Sequence, residues 1–167
     1  MAKPRVYSTA EAFRTSLEER LKRSSLAARI EVVDLRRQVA FDRLLARLFL
    51  KEPAPWALKG GYAMELRLKA ARSTVDIDLT MQRLPAGATE RSDANRIVRD
   101  LLQRAADGPL GDWFKYTIGS ATMDLTAAPY GGARYPVDAR MDSRTFARFH
   151  LDVGIGDMVI EPLETVE

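Results

Sequence analysis

Residues 74–81, TVDIDLTM, alternate apolar and polar side chains with a period of two. That periodicity is a β-strand with one face buried and the other open. Val75, Ile77 and Leu79 then face a core. Asp76 and Asp78 share the opposite face, about 7 Å apart at roughly 3.3 Å of rise per residue. A chain with such a strand needs a sheet whose apolar face is covered and whose other face tolerates two adjacent carboxylates.

The remaining pattern supplies both the cover and the neighbours. Ser8 and Glu11 have capping-box spacing, and Phe13, Leu17 and Leu21 follow at helical spacing, which predicts a helix over 8–23. A second stripe through Ile30, Val33, Phe41, Leu44, Leu45 and Leu48 predicts a helix over 29–50, stopped by Pro53 and Pro55. A short strand over 56–59, a Gly60-Gly61 turn and a helix over 62–70 lead into the acidic strand. Thr89 caps a helix over 90–106 that carries Ile97, Val98, Leu101, Leu102 and Ala105 on one face. Strands are predicted over 113–118, 121–127, 134–141 (interrupted by Pro136) and 147–153, with a Gly131-Gly132 turn between the second and third. The order predicts an α/β (α+β) fold with helices packed on a mixed sheet, an N-terminal helical part over 1–52 and a core over 53–167.

Carboxylates on one strand face can converge on one hard cation or bracket two, and a cation relieves their mutual repulsion. A D-x-D pair alone is a weak signal. Gly60-Gly61 strengthens it, because side-chain-free backbone N–H groups at a helix start suit a phosphate. Lys59, just before the glycines, is placed either to reach a phosphate oxygen or to extend into solvent. In the last strand Phe149, Leu151 and Val153 share one face, while His150 and Asp152 share the other. Asp152 would complete a three-carboxylate cluster able to hold two divalent ions and to accept a proton from an attacking hydroxyl. Asp157 and Asp124 rank behind it, the first in a loop and the second in a weaker strand. A lone histidine is more often structural than catalytic. Of Arg67, Lys69 and Arg72, one contact to phosphate is expected; Ser73 and Thr74 shape the strand entry.

The chain has 167 residues, 46% hydrophobic, and no cysteine, which excludes disulfides and thiolate zinc sites. No stretch approaches the roughly 20 apolar residues of a membrane span, and the N-terminus lacks a secretory signal, so a cytoplasmic protein is expected. The net charge of +3 divides into +5 over residues 1–50 (11 basic, 6 acidic), +2 over 51–110 (10 and 8) and −4 over 111–167 (5 and 9). With one histidine and neither G-x-S-x-G nor H-E-x-x-H, a hydrolase or protease reading has little support.

LKGGYAMELRL followed by ARSTVDIDL, with FHLDVGIGD later and AFDRLLARLF before, resembles the AbiEii/AbiGii-type nucleotidyltransferase toxins of the DNA polymerase β-like nucleotidyltransferase superfamily. The resemblance implies a toxin of a toxin–antitoxin or abortive-infection system that uses Mg²⁺, two ions, to transfer a nucleotide from an NTP to RNA, notably the tRNA 3′ end. Asp76, Asp78 and Asp152 would be metal-ligating and catalytic. Gly60, Gly61 and Lys59 would bind the nucleotide, and an antitoxin would be the partner. Two alternatives stand beside this: nucleotidylylation of a protein hydroxyl, and a non-catalytic fragment that binds antitoxin or RNA. The sequence departs from the family at Tyr62, where a small hydroxyl residue is usual. It also stops at EPLETVE, before the family's helical C-terminal region with its E-K-L-x-A motif, so a truncated form is expected.

Overall fold

A computed structural model describes residues 6–51, 53–68, 74–159, 161 and 163–165. Helix α1 (Ala10–Ala28) starts at Thr9, whose extended backbone lets its side chain accept from the N–H of Ala12 at 3.1 Å. The cap is therefore Thr9 rather than Ser8. No helix breaker stands before Arg29, which closes α1 in the left-handed conformation, so the helix outruns its apolar stripe. Helix α2 (Val32–Leu48) follows. Strand β1 (Ala57–Lys59) leads directly into α3 (Gly60–Leu68), so the two glycines are the first residues of a helix as well as a bend. Strand β2 (Asp76–Met81) and helix α4 (Arg91–Ala106) come next. Thr89 does not cap α4: the cap position is Glu90, and the Thr89 hydroxyl donates to Asp93.

Strands β3 (Lys115–Ile118), β4 (Met123–Asp124), β5 (Gly132–Met141) and β6 (Arg144–Ile155) complete the chain. Trp113, with φ of 64°, bends the backbone before β3, which is why that strand starts later than its sequence suggests. Gly132 opens β5 instead of forming a turn. A Cβ there would lie 2.1 Å from the Val153 carbonyl oxygen, so only glycine permits this approach of the two strands. Pro136 does not interrupt β5. Its carbonyl still accepts from Gly119 N–H, just past the end of β3, and its ring lacks an N–H only on that outer side, so the pairing with β6 continues past it. β5 and β6 form a hairpin closed by Asp142 and Ser143, whose φ values of 53° and 56° suit a two-residue turn.

The sheet order is β1-β2-β6-β5-β3, with β4 on β5. Among the described residues only β2 and β6 run parallel; the other pairs are antiparallel. Helices α2 and α4 cover one face, where Phe41, Leu44, Val98 and Leu102 bury against Ile77, Leu151, Val137 and Ile118. Phe41 meets Phe149 edge-on with centroids 4.7 Å apart. Tyr116 donates to Ala40 O (2.8 Å) and Tyr135 to Asn95 O (3.0 Å), which satisfies both phenols as they cross from sheet to helix. On α1, Arg14 donates to the carbonyls of Met141 (2.8 Å) and Thr145 (3.0 Å), tying the helix to the hairpin. The alternation that buries Ile77 and Leu79 sends Asp76 and Asp78 to the other face. No helix among the described residues is long and apolar enough to cross a membrane.

Candidate active site

Register assembles the site. Asp78 sits opposite Lys59 of β1 and Asp152 of β6, and Asp152 sits opposite Arg134 of β5. Side chains paired across strands share a face, so Lys59, Asp78, Asp152 and Arg134 form one row across four strands. The neighbouring row is Asp76, His150 and Pro136. The parallel pairing of β2 with β6 thus brings three aspartates from two distant segments onto one open face.

Gly60 abuts this row. Its φ is +69°, and a Cβ would lie 2.2 Å from an Asp78 carboxylate oxygen. The turn and the carboxylate therefore touch only because the side chain is absent. Gly61 faces Thr74, whose backbone N–H donates to Glu65 of α3 at 2.8 Å; its hydroxyl donates to the same oxygen. Glu65 so fixes the start of β2 against α3. Tyr62 turns inward, is buried, and donates to Asp42 of α2. The bulky residue after the glycines is thus an anchor holding α3 to α2. Burial pushes both that phenol and the Asp42 carboxyl above their ordinary ranges.

Charge balance within the rows is uneven. Arg134 donates from Nε to Asp152 Oδ1 at 2.7 Å and from Nη2 to Asp152 Oδ2 at 2.7 Å, and Nη2 also reaches Asp76 Oδ2 at 3.3 Å. The other Asp76 oxygen lies 3.2 Å from His150 Nδ1. Burial raises the Asp78 carboxyl above its usual range, the charges of Asp152 and Asp76 raise it further, and Lys59 and Arg134 offset part of this. Hydrogen bonds to Asp152 hold Arg134 even more firmly in its charged form. Lys59 pairs with Asp157, whose carboxyl it holds below the usual range.

Among the described residues, no three His, Cys, Asp or Glu side chains stand close enough to hold a metal ion as they are. The donor chemistry nevertheless suits a hard divalent cation: three aspartates share one sheet face, and burial together with the charges of Asp152 and Asp76 disfavours ionised Asp78. At present the guanidinium of Arg134 supplies the compensating charge.

Of the other residues marked in the sequence, Asp124 is exposed on β4 and accepts from Asn95, away from the rows. Arg67 pairs with Glu164 at 2.8 Å, both largely exposed. Lys69, Arg72 and Ser73 lie outside the described residues. Arg134 was not marked. It could have been read from 134–141, where Arg134, Pro136, Asp138 and Arg140 alternate with the apolar Tyr135, Val137, Ala139 and Met141.

A groove of about 640 Å³ opens beside Asp76, bordered by Arg134, His150, Pro136, Arg148 and Arg37. It is the size of a small-ligand site and carries cationic side chains beyond the carboxylates. Compared with known protein families, residues 43–167 match the one described as nucleotidyl transferase AbiEii toxin, Type IV TA system. No curated protein matches the chain.

Proposed function

Since the chain belongs to the nucleotidyl transferase AbiEii toxin family, we propose that it transfers a nucleotide from an NTP to the 3′ end of RNA, tRNA in particular, with Mg²⁺ at the aspartates. The observation that carries this reading is the row in which Asp78 touches Gly60 on one side and neighbours Asp152 on the other. Asp76, Asp78 and Asp152 would hold the cations. Bound there, divalent ions would neutralise triphosphate charge and favour the ionised acceptor hydroxyl.

The chain's own groups divide the remaining work. The first N–H groups of α3 have no acceptor within the helix and carry the positive end of its dipole, so they suit the triphosphate at Gly60 and Gly61. Asp152, beside Asp78, would take the proton of the attacking hydroxyl. The groove past Asp76 lies on the side away from Gly60, and Arg37 and Arg148 on its rim suit an RNA backbone. The family's toxin–antitoxin setting makes a cognate antitoxin the protein partner.

The test is incubation with total RNA and each labelled NTP in turn, with and without magnesium. Labelled RNA is expected with magnesium alone, and it should fall at least roughly a hundredfold for Asp76→Ala and Asp78→Ala, the scale of losing several kcal/mol of charge stabilisation. Label appearing on protein, or undiminished in both variants, would contradict the proposal.

A further inference from the structure

Arg134 engages both oxygens of Asp152 and one of Asp76, and His150 lies against the fourth. A cation shared by these two aspartates would need oxygens that the guanidinium now holds. The contact is built into the sheet, since Arg134 projects from β5 directly opposite Asp152 and its side chain is 29% exposed. A bidentate fork of this kind is among the strongest charge-assisted pairings available to a carboxylate. Arg134 also borders the groove beside Asp76, so it has somewhere to go when displaced.

We propose that Arg134 is an internal counter-ion that competes with the divalent cation for Asp76 and Asp152, so that cation loading turns the guanidinium into the groove. The inference rests on the reading of the three aspartates as cation ligands. While Arg134 is seated, the rows are electrostatically quieted and the cation site is closed. Loading exchanges one positive charge for another at the carboxylates. It also delivers a cationic fork to the groove, where phosphate groups of a substrate would lie.

The test is Mn²⁺ binding to the full chain without nucleotide, followed by electron paramagnetic resonance, for wild type, Arg134→Gln and Arg134→Lys. Arg134→Gln is expected to bind Mn²⁺ on the order of tenfold tighter, since an arginine beside a carboxylate alters its proton affinity by one to three powers of ten. Arg134→Lys keeps the charge but loses the fork, so it should also bind more tightly than wild type; a mere field effect would leave it unchanged. In wild type, the Arg134 Nε–H resonance should move as Mg²⁺ is added, a readout that needs no variant to fold. Equal Mn²⁺ affinity in all three proteins, or an unmoved Nε–H signal at saturating Mg²⁺, overturns the role of Arg134 alone. Mn²⁺ binding to none of them overturns the ligand reading as well.

Discussion

Gly60 and Asp78 set the closest constraint at the row of carboxylates. Replacing Gly60 by alanine forces a Cβ into a carboxylate oxygen at 2.2 Å on a backbone with φ of +69°. Gly60→Ala is expected to lower stability by about 1–2 kcal/mol and to reduce transfer more than tenfold, checked by thermal melts beside the RNA-labelling assay. Asp78 shows the opposite balance. Its raised carboxyl means that ionised Asp78 disfavours the fold, so its stabilising share is complete below the ordinary aspartate range and is lost as pH rises through the raised value. Asp78→Asn should therefore melt slightly higher than wild type near pH 7 without metal, by a few tenths to about 1 kcal/mol after solvent screening, while losing transfer. A lower melting temperature for Asp78→Asn would contradict that electrostatic assignment. Both carboxylates of the D-x-D pair were legible from alternation. The Arg134 fork and the Lys59–Asp157 pair were not, because each joins residues whose proximity only strand order decides.

Elements were legible where side-chain periodicity is enforced by burial. β2 over 76–79 and β6 over 149–153 alternate because one face of each is buried in the core, whereas β4 shrinks to two exposed residues. The parallel pairing of β2 with β6, which carries the candidate site, leaves no local mark in either strand. The connections also carry stability. Asp112, in the loop before β3, accepts from Arg47 and Arg43 of α2, and Arg47 is only 4% exposed. Asp112→Ala would strand Arg47, costing about 3 kcal/mol or more, with Tm falling roughly 2–4 °C for each kcal/mol. Burial alone would raise the Asp112 carboxyl, but the two arginines outweigh it and hold it low. Its contribution is thus complete above the ordinary aspartate value of 3.8 and is lost as pH falls through the depressed one. The gap between wild type and Asp112→Ala in melting experiments should narrow only below about pH 4. A gap independent of acid would contradict the pairing.

The molecule as a whole divides its two sheet faces between folding and chemistry. One face carries the aromatic and aliphatic core under α2 and α4; the other carries the charged rows and the groove. The same strands serve both, so the core residues Ile77, Leu151 and Val153 hold the carboxylates in register with one another. The most direct measurement is anomalous diffraction from crystals of the full chain with Mn²⁺ and a non-hydrolysable NTP. Manganese peaks between Asp76, Asp78 and the triphosphate, with the phosphates against Gly60 and Gly61, are expected. Manganese bound away from these aspartates, or a nucleotide seated elsewhere on the sheet, would contradict the assignment.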